Sequence, residues 1–509
     1  MPPHLALALG VIVVAVLLAI ERKRMPAPSL ALWLPTLWIF FVASRPLSRW
    51  LSSGGSNAEG NLTDRLSLAV MIAVGVLVLA RRKISWQKVF RDNVWLFAFF
   101  GFILISAAWT DVPFTSLKRS IRSAGAIVMA LVVMSESAPL LALDRVLRRT
   151  AYVMIPISIV FIKYFPDLGR AYGRSDGVVM WTGVTTQKNT LGALCALSVI
   201  LIVIGRFRKA DAAPRSARLQ RYADFVVLLM AVFLLRGAEE GNYSATATAV
   251  TILGVGIALW MLPRRRGGAL IAANLRTVAV VATVAYLAFW NAITTTGATM
   301  LGRRPDLTGR SVEIWPLVLK EAAKHPILGS GYGGVWGLDG ELSRTLGLEQ
   351  AHNGYLDVYL QLGVVGCVLL ALFLLEVCGR IKRQYRYDRS WGVFGIAFFF
   401  INLIYNISET AFFDVYFGAA LVFASVVFGA SDTATPQAAS QDAAAPAAVP
   451  VGGFGVVRTT PAVPVPVMRR AATPGPGVQA RRQSAPRAGH RPEARFPGRP
   501  LIPRRNPPS

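Results

Sequence analysis

The fold class this chain predicts is all-α: a polytopic integral membrane protein with about 12 to 13 transmembrane helices and one large extracytoplasmic loop. Three observations predict it. Mean hydropathy is +0.49. Only 16% of the 509 residues are charged and 54% are hydrophobic, where a soluble domain carries about 25% charged residues. Apolar runs near membrane-spanning length recur along most of the chain. There are 54 Lys and Arg against 27 Asp and Glu, a net charge of +27. That excess is divided among short loops between apolar runs, which argues against nucleic acid as a partner. Cys195 and Cys367 lie inside apolar runs and Cys378 just past one, so no disulfide framework is implied. A soluble enzyme, a secreted disulfide scaffold and a disordered chain are all disfavoured.

The apolar runs fall at roughly 3–20, 30–44, 66–80, 94–109, 121–135, 151–165, 190–205, 222–236, 244–262, 277–296, 354–376, 393–408 and 410–430. The last two read as separate spans or as one broken pair. Several runs are shorter than the ~17–25 residues a crossing helix needs, so their ends must reach into the flanking segments. The first run has no Lys or Arg before it and carries Arg22, Lys23 and Arg24 after it. It also lacks a small-residue cleavage site, so it reads as a span with an outside N-terminus.

Alternate loops are rich in Arg and Lys, at 81–91, 145–149, 206–221, 264–276 and 380–389. The positive-inside rule makes these cytoplasmic. The stretches 45–65, 110–120, 166–189, 237–243 and 297–353 are then extracytoplasmic, and one alternation fits every loop. The membrane domain is 1–430. Residues 431–509 form a basic tail of Pro, Ala and Arg without apolar runs, which reads as disordered and cytoplasmic. Such a tail can touch anionic headgroups.

Polar groups that a purely structural bundle does not need mark the chemistry. The longest non-tail polar stretch is the outer 297–353. It opens Thr308-Gly309-Arg310-Ser311, and a short helix is predicted near Trp315 and Pro316, ending near His325-Pro326. Gly329, Gly331, Gly333 and Gly334 follow, with Tyr332 and Trp336. No strand precedes this cluster and no Lys-Ser/Thr pair follows it, so it reads as tight turning beside the membrane rather than a nucleotide loop.

His352-Asn353-Gly354-Tyr355 then runs straight into an apolar helix. A neutral imidazole at that boundary is available to take a proton; an interfacial His that caps the helix is the alternative. The Arg310 guanidinium suits bidentate binding of a phosphate, or a surface ion pair. The outer stretch 166–189 adds Arg170, Arg174 and Lys188, with Asn189 at a helix edge. Three cations there run against the positive-inside trend. An anionic lipid-linked ligand explains them, and snorkelling to headgroups is the alternative. Glu239, Glu240, Asn242, Glu409 and Asp414 are further polar candidates, and Glu409 is expected to pair with an Arg of the outer loops. No His/Cys/carboxylate cluster reads as a metal site.

Four local patterns make the chain recognisable. They are Ala108-Trp109-Thr110-Asp111-Val112-Pro113 with Ser116-Leu117-Lys118-Arg119; Gly183 with Gln187-Lys188-Asn189-Thr190-Leu191-Gly192; Thr308-Gly309-Arg310 with Trp315, His325-Pro326-Ile327-Leu328-Gly329 and Gly331; and His352-Asn353-Gly354-Tyr355-Leu356 with Gly363 and Gly366. Over roughly residues 95–420 the chain resembles the O-antigen ligase/polysaccharide polymerase superfamily, particularly its exopolysaccharide polymerase branch.

The resemblance implies a fold like that of polytopic glycosyltransferases and a location in the bacterial inner membrane with the large loop periplasmic. It implies glycosyl transfer from an undecaprenyl-diphosphate-linked glycan donor, without metal or cofactor. The acceptor is another glycan repeat for a polymerase or lipid A-core for a ligase. Membrane lipids and other polysaccharide assembly and export proteins are the remaining expected partners. Carried onto this sequence, Arg310 holds the diphosphate and His352 orients or deprotonates the acceptor hydroxyl. Arg170, Arg174 and Lys188 compete for a further diphosphate contact, and Asn189, Asn353 and Trp315 join the substrate-binding set. A lipid-linked saccharide transporter and a non-catalytic assembly protein are the competing classes. The first predicts inverted repeats around a central cavity, and none is evident.

Overall fold

A computed structural model describes residues 1–23, 29–51, 62–173, 177–208, 214–237, 243–263, 265–300, 302, 310–336, 341–346, 350–413 and 416–431. Chain contacts divide the protein into Met1–Ala444 and Ala445–Ser509. All of the described residues belong to the first unit. The expected tail, like Arg174, Thr308, Gly309, Glu239, Glu240, Asn242 and Asp414, lies outside them apart from Ser431.

The first half comprises α1 (Pro3–Arg22), α2 (Trp33–Ala43), α3 (Leu47–Leu51), α4 (Leu62–Ala80), α5 (Trp86–Asp92), α6 (Val94–Ile105), α7 (Pro113–Met134), α8 (Pro139–Tyr164) and α9 (Pro166–Gly169). A two-stranded antiparallel hairpin follows, β1 (Arg170–Tyr172) against β2 (Val179–Trp181), with Arg170 opposite Trp181. The second half comprises α10 (Lys188–Gly205), α11 (Pro214–Arg236), α12 (Ala245–Met261), α13 (Arg266–Ala273), α14 (Leu275–Ala288), α15 (Trp290–Met300), α16 (Trp315–Ala322), α17 (Glu341–Leu346), α18 (Gly354–Tyr387), α19 (Arg389–Ser408) and α20 (Phe417–Ser431).

Every apolar run of the sequence falls on a helix, and the protein is all-α and polytopic. Not every run is by itself a helix long and apolar enough to cross. Among the described residues five helices are long and apolar enough to cross a membrane: α1, α4, α10, α18 and α19. Counting each sharply bent pair as one span raises this to at most eight. Three reasons account for the difference. Helices α7, α8 and α11 are long enough but carry several charged residues. Some runs stay short, as in α2 and α20. Others break: α5 meets the helix that begins at Val94 at 86°, and α14 meets α15 at 88°.

Burial sorts the long helices. The apolar segments of α10 and α19 are 72% buried, whereas those of α1 and α4 are 17% buried and present apolar side chains outward. Helix α10 therefore has neighbours on nearly all sides, and its Gly192 lets α12 approach closely: a Cβ there would meet the Ala247 Cβ at 2.6 Å.

Two stretches read as loops prove helical. Helix α7 already starts at Pro113, inside the stretch 110–120, because proline is pre-set for the first helical turn. Helix α8 starts at Pro139 and carries Arg145, Arg148 and Arg149 inside it, all buried. Each of these arginines pairs with a carboxylate, and Arg145 Nε lies 3.4 Å from Glu21 Oε1. Arg149 Nε lies 2.8 Å from Glu21 Oε2, Arg148 Nη2 lies 3.1 Å from Asp144 Oδ1 and pairs also with Asp224, and Arg208 Nη1 lies 2.6 Å from Asp144. Arg208 also stacks on Trp391, 3.8 Å from the ring centre. Charge counts there read as loop basicity, yet pairing makes burial tolerable.

The described residues of the stretch 297–353 are folded. Helix α18 breaks at Gly363, where φ is +62°, and the glycine-rich segment docks into the break. Ser330 and Gly331 amides donate to the Leu360 and Gln361 carbonyls, at 3.0 and 2.9 Å, and Val364 and Val365 amides donate to Pro326 and Ile327, at 2.9 and 3.1 Å. Helical carbonyls and amides orphaned by the break thus find partners, as any backbone at membrane depth must. The approach is so close that a Cβ on Gly329 would meet Gln361 C at 2.3 Å, and φ is +71° there. Val318, Ala322, Trp336, Leu342, Ala351 and Leu360 form a separate small core that holds this segment on α18.

Candidate functional site

The end of the bundle that carries the N-termini of α10, α12 and α18 and the C-terminus of α19 gathers the candidate residues. Its centre is Glu409, which follows the last turn of α19 and is 5% exposed. Its Oε1 accepts from Asn189 Nδ2 at 2.6 Å and lies 3.0 Å from Arg310 Nη2. Its Oε2 lies 3.4 Å from His352 Nδ1. Arg310 Nη1 also donates to the Ser408 carbonyl at 2.5 Å. The expected partnership of Glu409 with an outer-loop arginine is therefore with Arg310, and His352 joins the same carboxylate. Burial works against ionisation of Glu409, but the Arg310 guanidinium and the His352 contact outweigh it and hold the carboxyl below its ordinary range.

Local sequence explains these positions. Asn353 caps α18: its Oδ1 accepts from the Tyr355 and Leu356 amides at 3.0 and 3.1 Å, a role Asn fills well. The preceding His352 has φ +52°, the one positive value at a non-glycine among the described residues. The Gly354 amide donates to the Glu409 carbonyl at 3.1 Å, which ties the start of α18 to the end of α19. Asn189 is fixed by Ser244, which donates to its Oδ1 at 3.0 Å, while the Tyr405 hydroxyl donates to the Asn189 carbonyl at 2.9 Å.

Beside this group opens a cavity of about 1250 Å³ lined by His352, Glu409, Asn189, Gln350 and Asp357 on one side. Asp357 is fully buried and receives hydrogen bonds from Trp336 Nε1 at 2.6 Å, the Ala351 amide at 3.1 Å and Thr410. The cavity is lined also by residues of α3, α4 and α7, among them Arg49, Arg65, Lys118, Arg119 and Arg122. Arg119 Nη1 donates to the Gly333 carbonyl at 2.5 Å and to Trp336 at 3.3 Å, and Ser123 pairs with the Tyr332 hydroxyl at 2.8 Å.

The remaining candidates divide. Asn189 and His352 line the cavity, while Arg310, Arg170, Lys188, Asn353 and Trp315 are not among its lining residues. Arg170 Nε donates to the Ile162 carbonyl at 2.8 Å and anchors the hairpin. Trp315 is buried and donates to the Ala351 carbonyl at 3.2 Å, which holds α16 over the site. Lys188 is the first residue of α10. Arg174 lies outside the described residues. Among the described residues no group of three His, Cys, Asp or Glu side chains is placed to hold a metal ion. Arg49, Arg65 and Arg122 escaped the sequence reading because two sit in a stretch without a distinctive motif. Arg122, with Lys118 and Arg119, follows helical spacing from Pro113, a signal that was legible once α7 starts there.

Comparison with known proteins agrees with the motifs. Residues 225–371 match the family model described as O-antigen ligase. The chain is 25% identical over 330 residues to the exopolysaccharide production protein ExoQ of Rhizobium meliloti (strain 1021), an alignment covering 62% of this chain and 72% of that protein. The chain is thus similar to O-antigen ligases over residues 225–371, and it is a multi-pass membrane protein. The family match spans Arg310, Trp315, His352 and Asn353. Asn189, Glu409 and the α7 wall fall outside it.

Proposed function

We propose that this protein polymerises undecaprenyl-diphosphate-linked oligosaccharide repeat units at the outer face of the inner membrane, in exopolysaccharide or O-antigen biosynthesis, without metal. The observation that carries this reading is the juxtaposition, in one cavity, of a His–Glu pair and a wall of cations. The relative's description as an exopolysaccharide production protein favours a polymerase over a ligase that moves the glycan to lipid A-core.

The chemistry needs a base and an anion-stabilising surface. With Nδ1–H donated to Glu409, His352 keeps its Nε2 lone pair for a proton, and the carboxylate orients the ring and stabilises the imidazolium that forms. The 3.4 Å contact is of the loose kind that tightens when substrate is bound. The acceptor hydroxyl oxygen bonds to the anomeric carbon and its proton passes to His352. The bond from that carbon to the diphosphate oxygen breaks, and its electron pair leaves on the lipid diphosphate. Preorganised cations near that developing charge are usually the largest catalytic contribution. Loop stretch, cavity and site face the non-cytosolic side in this reading, which the positive-inside rule supports.

Deleting the gene in its host and analysing lipid-linked glycans tests the assignment. Accumulation of single lipid-linked repeat units, with no polymer, is expected, and His352→Ala expressed at normal level should reproduce it. Long lipid-linked chains beside bare lipid A-core would identify a ligase instead, and unchanged polymer would end both readings.

A further inference from the structure

Asp357 is a buried carboxylate to which the transfer chemistry assigns no part. It stands in the first turn of α18 and is fully buried. A carboxylate in a first turn ordinarily faces the free amides of its own helix end. This one reaches instead to three segments outside the helix. Its Oδ1 accepts from the Trp336 indole at 2.6 Å. Its Oδ2 accepts from the Ala351 amide at 3.1 Å and from the Thr410 hydroxyl. Two carboxylate oxygens can accept from donors on both sides, whereas an Asn side chain turns an NH2 group to one side or the other.

The two segments on Oδ2 are those that carry the reacting pair. Ala351 precedes His352 and Thr410 follows Glu409, so one oxygen binds the neighbour of each. Ala351 is held at its other end as well, its carbonyl accepting from the Trp315 indole at 3.2 Å. His352 has φ +52°, a conformation that a non-glycine residue keeps only where its surroundings over-determine it. Asn353 restrains the following residues by capping α18, and Asp357 with Trp315 restrains the preceding one. The bond from the Gly354 amide to the Glu409 carbonyl joins the two helix ends but does not reach the residue before His352. At 3.4 Å the His352–Glu409 contact has little margin, because a small displacement of either flank takes it out of hydrogen-bond reach.

We propose that Asp357 is a positioning residue for the transfer step, one that acts through His352 and Glu409 by holding the imidazole in its strained backbone and within reach of the carboxylate. This role rests on the glycosyl-transfer reading above and adds to it a residue at which no bond forms or breaks. Complete burial keeps the Asp357 side chain from the substrate itself. Its third partner, Trp336, has a carbonyl that accepts from Arg119 Nη1 at 3.3 Å, so the same carboxylate also ties the pair to α7.

Turnover by the purified full-length protein in nanodiscs tests it, with the lipid-linked repeat unit extracted from the gene-deletion host as donor. Asp357→Asn should lower kcat by about 10 to 100-fold with KM within about twofold of wild type. In a His352→Ala background the same substitution should lower the residual rate by less than about twofold, because a residue that acts through the imidazole then has nothing left to position. A carboxylate that only supports the fold would lower the rate alike in both backgrounds, and that result overturns the role. So does a wild-type kcat in Asp357→Asn. Thr410→Val, which removes one donor and no charge, keeps the test open where Asp357→Asn fails to insert. It should lower kcat by about three- to tenfold, the worth of one hydrogen bond, and leave the His352→Ala rate within about twofold. Equal losses in the two backgrounds, or no loss in either, overturn the role while leaving the transfer reaction in place. Failure of the wild type to consume the donor, or a wild-type kcat in His352→Ala, overturns the transfer reading and the role of Asp357 with it.

Discussion

A single carboxylate organises the site. Glu409 joins a cation, an amide and an imidazole that arrive from three separate parts of the chain, so each partner's loss should have its own signature. His352→Ala should lower polymer synthesis by about 10² to 10⁴-fold, the usual worth of a positioned base, while the protein still inserts and accumulates; in vitro turnover measures this. Glu409→Gln should lower kcat by about 10 to 100-fold with KM little changed, because the carboxylate touches and orients the base rather than binding substrate. The same carboxylate sets an acid limit. Because its folded value lies below the ordinary range, the ion pair with Arg310 contributes fully above the ordinary glutamate range and is lost as pH falls through the lowered value. The thermal midpoint of the wild type should therefore fall in that acid window, and Glu409→Gln should abolish that part of the dependence. A wild type and variant that titrate in parallel would contradict the pairing.

Helix breaks, at the next scale, are what bring those residues to one place. Helix α18 is interrupted at Gly363 so that the 326–331 backbone can hydrogen-bond into it. A Cβ at Gly363 would meet the Ile327 carbonyl oxygen at 2.3 Å, with φ at +62°. Gly363→Ala should therefore destabilise the protein by about 1–3 kcal/mol, read as a lowered thermal midpoint in detergent, and Gly329→Ala should behave alike. Asn353→Ala removes the cap of α18 and should cost about 1 kcal/mol. It should also lower kcat, since the neighbouring His352 backbone loses its anchor; unchanged kcat would separate the cap from the site. The motif glycines were legible as turning residues, but their target was not. The partner of a turn 30 residues away in sequence depends on where α18 breaks, and helical periodicity continues through Gly363 without a mark.

For the whole molecule, polar groups separate to opposite ends. The Glu409 group lies where α10, α12 and α18 begin, and the buried Arg148–Asp144–Asp224 cluster lies where α8 begins and beside the segment that follows α10. Impermeant labelling of single cysteines introduced at Glu321 and at Lys88 should modify the first from outside and the second only after permeabilisation. Labelling of Glu321 only from the cytosol would end the proposed location of the reaction. Removing one partner of the buried cluster, as in Asp144→Ala, should cost about 3–5 kcal/mol, because it strands charges away from water. A thermal midpoint within a degree of wild type would show that water reaches them.

Composition and hydropathy alone determined that this is a helical membrane protein, because the bilayer demands long apolar segments wherever they pack. The sequence likewise placed Arg310 and His352 in one long polar stretch and led to the expectation of an arginine partner for Glu409. Tertiary structure alone decided which arginine that is, which apolar runs bend, that Arg145, Arg148 and Arg149 are buried in pairs, and that Lys118, Arg119 and Arg122 of α7 line the same cavity as His352. The physical reason is the same in each case. Apolarity is a property of a segment and is written locally, whereas the balance of a buried charge depends on a second residue that the fold brings from far along the chain.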